Sequence, residues 1–317
     1  MTPTPPVSAD RLPSGSAGKE SAQAVLVLGA SGLIGAPLLH QLHRQGVAVH
    51  AVSRATQAPA GMTGLARWWL GPEHDLYAGD RADPGPACPV VLSAGPLDAL
   101  AAWLEAGAAP GLRRLVAIGS TSVVTKQDSP DPQERQLAQR LLHAEQRVAG
   151  HCQRQGIAWT ILRPTLVWGE GRDRNINRIA AMARRRAWLP VPGFATGLRQ
   201  PIRNTDVARA MLLAWQQPAS AGLCLDLPGG ETLDYLEMVR RVVAVANPRC
   251  RVVIIPAGAA RLALAAARRL RLIRPGQAAM AARMAQDLVF DAGPVRQRLV
   301  GLASQGFQPL AGDFPPS

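Results

Sequence analysis

The sequence predicts an α/β protein built on a doubly wound parallel sheet. Three observations carry this. Residues Ala24 to Leu28 form an unbroken apolar run, the pattern of a strand buried on both faces. Glycines follow at three-residue spacing, Gly29, Gly32 and Gly35, and lead into an apolar helical segment. Further apolar strand segments then alternate with helical ones, and that alternation gives a parallel sheet covered by helices on both faces.

The first strand, Ala24 to Leu28, feeds the turn Gly29-Ala-Ser31-Gly32-Leu33-Ile34-Gly35, and a helix is expected from Ala36 to Gln45 with Pro37 in its first turn. Gly29 permits a tight turn, Gly32 lets backbone approach a ligand, and Gly35 lets the helix pack on the strand. The helix N-terminus offers free N–H groups and partial positive charge, so this unit is a site for a dinucleotide pyrophosphate. The second strand, Val47 to Val52, ends in Ser53-Arg54. An acidic residue there would bind the ribose 2′-hydroxyl of NAD. A hydroxyl and a guanidinium suit a 2′-phosphate instead, so NADP is preferred over NAD.

A third strand is expected at Ala66 to Leu70, and the Pro/Gly/Asp-rich stretch 71–89 leaves little room for a crossover helix. The adenine-contacting pair is either Asp75-Leu76 or Asp80-Arg81. Pro89 to Ala94 is the fourth strand, followed by Gly95. A helix capped by Asp98 runs to Ala106, and Arg114 to Ile118 is the fifth strand. Asp131 as N-cap, Pro132 at the first helical position and Glu134 as partner of a capping box open a helix to Gln155, stopped by Gly156. Ile157 to Leu162 is the sixth strand, closed by Arg163-Pro164-Thr165. Ligands of such sheets sit beyond the strand C-termini, which places Gly29–Gly35, Ser53, Arg54, Ser93, Ala94, Gly95, Ser120, Pro164 and Thr165 along one rim.

Composition narrows the classes. The chain has 317 residues and is 47% hydrophobic, enough for one large or two modest domains. No apolar run is long enough to cross a bilayer, and the N-terminus lacks the regions of a signal peptide. Residues 1–22, rich in Pro, Ser, Thr and Gly, are expected to be disordered. Cys88, Cys152, Cys224 and Cys250 show neither metal spacing nor a disulfide framework, consistent with a reduced cytoplasm and no metal site. The net charge is +13, but only Lys19 and Lys126 are lysines, the arginines are scattered, and no nucleic-acid motif accompanies them. An anionic small-molecule ligand accounts for part of that charge.

Several pieces together resemble the extended or atypical short-chain dehydrogenase/reductases of the NAD-dependent epimerase/dehydratase type. They are Gly29-Ala-Ser-Gly-Leu-Ile-Gly35, Ser93-Ala-Gly95, Gly119-Ser-Thr-Ser-Val123, Ala144-Glu-Gln146, Leu162-Arg-Pro-Thr-Leu-Val-Trp-Gly169 and Asn204-Thr-Asp-Val-Ala208. The resemblance implies a Rossmann domain with NAD(P) over residues 23–170. It also implies a smaller C-terminal α/β substrate domain, mainly residues 171–317, with 200–228 returning to the first; that domain usually holds a nucleotide sugar. Within it, helices are expected at Asn175–Arg186, Thr205–Gln216 and Thr232–Ala246, strands at Leu223–Leu227 and Val252–Ile255, and a loop at Pro190–Gly197. The resemblance further implies that Arg199 and Arg203 hold the nucleotide diphosphate, for which a guanidinium fork is suited. A homodimer is compatible with it.

The family's catalytic pair is missing. Its Tyr, with a Lys four residues later, falls on Leu137 and Leu141 when counted back from Ala144-Glu145-Gln146. Leucine neither titrates nor hydrogen-bonds. Ser120, aligned with the family's catalytic Ser/Thr, remains. Lys126 follows it by six residues, while His143 and His151, like His40 and His43, read as surface or structural residues. Two readings follow: an NAD(P)-dependent oxidoreductase or epimerase-like enzyme on a nucleotide sugar or related anionic metabolite, with rearranged acid/base groups, or a non-catalytic NADP(H)-binding sensor or assembly subunit. A third, weaker reading is a nucleic-acid or peripheral membrane binder. Residues 258–274 form an amphipathic basic helix with Leu262, Ala266, Leu270 and Ile273 on one face. That face is expected to pack on the substrate domain, with Pro275-Gly276 ending the helix, rather than to lie on a membrane.

Overall fold

A computed structural model describes residues 24–71, 87–107, 109–173, 175–270, 272 and 275–314. Expectations for the N-terminal tail and for Asp75-Leu76 and Asp80-Arg81 lie outside these residues. From the glycine turn onward the chain builds β1 (Val25–Leu28), α1 (Gly35–Arg44), β2 (Val49–Ser53), β3 (Arg67–Leu70), β4 (Val90–Ser93), α2 (Leu97–Glu105), β5 (Arg114–Ile118), α3 (Ser122–Thr125), α4 (Pro132–Arg154) and β6 (Ala158–Pro164). Next come β7 (Val167–Trp168), α5 (Ile176–Arg184), β8 (Trp188–Pro192), β9 (Leu198–Arg199), β10 (Ile202–Arg203), α6 (Asn204–Gln216), β11 (Leu223–Leu227), β12 (Leu233–Asp234), α7 (Tyr235–Ala246), β13 (Arg251–Ile255), α8 (Ala257–Arg269), α9 (Pro275–Arg283) and α10 (Gly293–Arg298).

Seven strands make one sheet in the order β11-β6-β5-β4-β1-β2-β3. Every neighbouring pair is parallel. The alternation within β1 shows why both faces are covered. Val25 and Val27 join the core under α1 and α6, with Leu38, Leu42 and Met211. Leu26 and Leu28 join the opposite core under α2 and α4, with Leu100, Trp103 and Val148. A third core, around Trp168, Ile179, Val239 and Phe307, belongs to the elements after β6. Arg114, in β5, is buried among neutral partners: it donates to Thr160 Oγ1 at 2.7 Å, to Ser220 Oγ at 3.0 Å and to the Ala214 carbonyl. Burial brings its guanidinium down to about 10.

Several local expectations are corrected. Pro190–Gly197 is not all loop, because Trp188–Pro192 pairs in parallel with β13 from Arg251↔Trp188 to Ile255↔Pro192. A two-stranded ribbon has an outer edge on each side, where a proline lacking N–H costs nothing, and Leu189 and Val191 bury on the inner face. The helix expected from Thr232 begins at Tyr235, since Leu233–Asp234 pairs with β9 and Asp234 caps by accepting from the Glu237 N–H at 2.7 Å. The helix expected from Asn175 begins at Ile176, and Asp173 holds its N-terminus by accepting from the N–H groups of Asn175, Ile176 and Asn177. At α4 Asp131 caps as expected, by accepting from the Gln133 N–H, but Glu134 does not close the box directly. Ser129 is interposed: its Oγ accepts from the Asp131 N–H and donates to Glu134. Finally, Leu262 and Leu270 are exposed rather than packed, at 74% and 67%, and Leu264 is the half-buried side. The helix ends at Arg269, and Pro275 opens a new one.

Candidate functional site

The glycine turn occupies the C-terminal end of β1. Gly29 has φ +71°, and a Cβ there would lie 2.8 Å from Gly95 N and 2.9 Å from the carbonyl carbon of Ala94. The loops after β1 and β4 therefore touch backbone to backbone, held by Ala94 N–H donating to Leu28 O at 2.9 Å. At Gly35 a Cβ would stand 2.2 Å from Gly29 O, so this glycine lets the helix close on its own turn. Gly32 differs: only Gly29 O, at 3.1 Å, lies within contact of such a Cβ, and the rest of that side is open. That is the space a pyrophosphate needs, at the positive N-terminal end of α1. Asn204, fully buried at the start of α6, ties the turn down by donating from Nδ2 to Leu33 O at 3.0 Å.

At the end of β2, Ser53 Oγ and Ser31 Oγ are 2.7 Å apart, and the neighbouring Arg54 is exposed. A hydroxyl pair beside a guanidinium is a donor set for a phosphate. Ser93 is different from the other rim residues. It is fully buried and its hydroxyl finds no partner among the described residues, so its side chain lies behind the rim and Ala94 and Gly95 form the surface. Pro164 is buried too, and its carbonyl accepts from Thr121 Oγ1 at 3.1 Å; Thr165 beside it is half-buried.

Beyond the strand ends lies a cavity of about 720 Å³, lined by Leu33, Ser120, Thr165, Lys126 and Tyr235 among others. A hollow of similar volume is lined by Glu231, Arg241 and Val245 with Phe307 and Pro309, and none of the sequence-predicted site residues borders it. Ser120 Oγ accepts from Ser122 N–H at 3.1 Å, which fixes the oxygen and leaves its proton to donate. Lys126 ends the short helix α3 and also faces the cavity. Burial, aided by the Arg283 guanidinium and opposed by Asp131, holds its ammonium below the ordinary lysine range. Glu134 Oε1 forms an ion pair with Lys126 Nζ at 3.7 Å, while its Oε2 accepts from Arg283 and from Ser129 at 2.7 Å.

The two arginines assigned to a nucleotide diphosphate are committed elsewhere. Arg199 donates to Leu198 O and Gln286 O, each at 2.7 Å, and to Arg283 O at 2.6 Å, and its guanidinium lies 5.5 Å from the Tyr235 ring centroid. It borders the cavity while fastening the segment after α9. Arg203 pairs with Asp313 at 2.7 Å, lies over Trp168, and does not line the cavity. The sequence reading missed Arg172 and Arg178, both exposed and both on the cavity wall. A signal was present, since Arg172 follows the matched Gly169 by three residues. Asp173 also lines the cavity, yet its Oδ1 caps α5 and its Oδ2 accepts from Asn177 Nδ2 at 2.9 Å. Leu137 and Leu141 are half-buried on α4, with Glu145 one turn further, buried and paired with Arg163 at 2.8 Å.

Sheet order, glycine turn and cavity beyond the strand ends define a Rossmann-type α/β protein. The chain belongs to the NAD dependent epimerase/dehydratase family, whose sequence pattern matches residues 25–85 and 93–223. No curated protein sequence matches it. Among solved structures it is similar to the epimerase Mth375 of Methanothermobacter thermautotrophicus, with 16% identity, 90% of this chain and 88% of the other covered, and TM-score 0.67. It is also similar to UDP-glucose 4-epimerase of Thermotoga maritima, solved with UDP-glucose (14% identity, 89% and 94% covered, TM-score 0.65). MoeE5, solved with UDP-glucose and NAD, is 23% identical over 74% of this chain and 88% of its own, with TM-score 0.57. At these identities the likeness is one of fold.

Proposed function

We propose that this protein is an NADP(H)-dependent oxidoreductase or epimerase-like enzyme acting on a nucleotide sugar or a related anionic metabolite. The observation that carries this reading is the position of the cavity, which runs from Leu33 of the glycine turn past Ser120 to the elements after β6. The pyrophosphate would lie against Gly29, Ser31, Gly32, Leu33, Ile34 and Gly35, the 2′-phosphate against Ser53 and Arg54, and the remainder along Ala94, Gly95, Pro164 and Thr165. When bound, the nicotinamide supplies or accepts hydride.

The chain's own residues supply the rest. Five cationic side chains line the cavity, Lys126, Arg172, Arg178, Arg199 and Arg283, against the carboxylate of Asp173 on the lining and that of Glu134 behind Lys126 and Arg283. That balance favours an anion. Ser120 Oγ–H donates to the substrate's reacting oxygen. Lys126 Nζ, its proton loosened by burial, is the side chain on this wall able to exchange a proton in the absence of the Tyr/Lys pair. Leu137 and Leu141 are the observation that favours the alternative, an NADP(H) sensor or assembly subunit without turnover.

Fluorescence titration with NADPH and NADH tests the cofactor. NADPH should bind more tightly, and Arg54→Ala should remove about 1.5–3 kcal/mol of that preference. Equal affinities, unchanged in the variant, would overturn the NADP assignment. Incubation with NADP⁺ and nucleotide sugars, followed by product analysis, tests turnover. A rate lost in Ser120→Ala and lowered about 10²–10⁴-fold in Lys126→Met supports the enzyme; NADPH binding with no turnover supports the sensor.

A further inference from the structure

The cavity lining mixes polar and apolar chemistry. The wall at the strand ends carries Ser120, Thr125 and Lys126. The rest of the lining brings in Met182, Met238, Met280, Met284, Leu288 and Phe290, four of the chain's seven methionines among them, interspersed with Arg178, Arg199, Tyr235 and Arg283. Other polar groups of the lining are already spent. Thr165 Oγ1 donates to Gln200 O. The Gln200 amide binds Phe290 N–H at 2.8 Å, Phe290 O at 3.3 Å and the Thr232 hydroxyl at 3.2 Å. Thr121 and Asp173 are likewise engaged.

A hexose set against the methionines would bury hydroxyls without partners, which is costly. A hydrocarbon would exchange water for thioether and aromatic contacts, and methionine adapts to its shape. Of the arginines that line the site, Arg199 is spent on the Leu198, Gln286 and Arg283 carbonyls and Arg283 on Glu134, whereas Arg172 and Arg178 are exposed and stand at its mouth. Resting on the reading of this cavity as the substrate site, we propose that the substrate is an amphiphilic anion, an acyl, prenyl or aryl body against the methionines with its anionic head at Arg172 and Arg178.

The test is calorimetric titration of the NADPH-loaded full-length protein with hexyl, octyl and decyl phosphate, each below its micellar concentration, and with UDP-glucose. Affinity should rise about tenfold for each two methylenes added. Decyl phosphate should bind with a negative heat-capacity change and more tightly than UDP-glucose. Met280→Gln/Met284→Gln should flatten the chain-length series while NADPH affinity stays unchanged, and Arg178→Gln should weaken every alkyl phosphate alike. UDP-glucose binding more tightly, with no effect of the methionine changes, would overturn the amphiphile and leave the anionic-substrate reading standing. A chain-length series unaffected by the methionine changes would mean that the alkyl group binds outside the cavity, and would overturn the proposal. If neither probe binds a protein that binds NADPH, both readings fall.

Discussion

Two glycines three residues apart respond differently to gaining a side chain. Gly29 has φ +71°, and its Cβ would press on backbone of the neighbouring loop at 2.8 Å. Gly29→Ala should therefore lower stability by about 1–3 kcal/mol from backbone strain alone, seen as a lower urea midpoint. At Gly32 a Cβ would press only on Gly29 O, at 3.1 Å, so Gly32→Val should still fold, at a smaller cost than Gly29→Ala, and lose dinucleotide binding. A folded Gly32→Val protein that still binds NADPH would place the ligand elsewhere. Lys126 gives a pH signature with a definite sign. Its folded-state pKa is depressed below 10.5, so between the depressed value and 10.5 the unfolded chain holds more protons and stability rises with pH. The penalty is full below the depressed pKa and absent above 10.5. Lys126→Met should remove this rise from urea melts taken at stepped alkaline pH. Glu145, 3% exposed, is held by Arg163. Arg163→Ala should cost about 3–5 kcal/mol, because the buried carboxylate loses its partner, and Glu145→Gln considerably less.

At the scale of the element, α8 offers a test of its orientation. Leu262→Lys should change stability by less than about 0.5 kcal/mol because the side chain is already in water. Leu264→Lys, on the half-buried side, should cost more, and equal costs would mean that the helix is rotated. This is also where the sequence was least legible. Amphipathic period alone groups Leu262 with Ala266 and Leu270, but cannot say which face the rest of the molecule covers. The ribbon of Trp188–Pro192 with Arg251–Ile255 was hidden for a related reason. Its partner lies some sixty residues away, whereas turn residues announce themselves locally. Local chemistry was readable: the glycine turn, the cap at Asp131, and the double burial of β1. Lys126 could be named from its distance to Ser120, but its place on the cavity wall depends on α3, a single turn of helix too short to show a period. The methionine lining was invisible, because Met280 and Met284 reach the cavity only after α9 folds back over it.

Across the whole molecule, the proposed cofactor site and the proposed substrate cavity share the strand-end rim, so occupancy should stabilise the native state as a unit. NADPH at about 100 times its Kd should add about 2.7 kcal/mol to unfolding, seen as a rise in Tm. No described helix is long and apolar enough to cross a membrane.

The order in which the sheet is filled has a consequence for how the chain is made. Its last strand, β11, comes from residues 223–227 yet pairs with β6, which is synthesised some sixty residues earlier. Until β11 emerges from the ribosome, β6 is paired with β5 on one side only and presents its other edge unpaired. The Arg114 guanidinium, meanwhile, lacks the Ala214 and Ser220 oxygens that receive it. At that stage β6 is an edge strand, and open strand edges invite pairing with other chains. A fragment ending at Gly169 should accumulate as aggregates, or stay bound to chaperones, in a cell-free translation. One ending at Pro228 should partition to the soluble fraction, and equal solubility would show that the six-stranded sheet closes without its final strand.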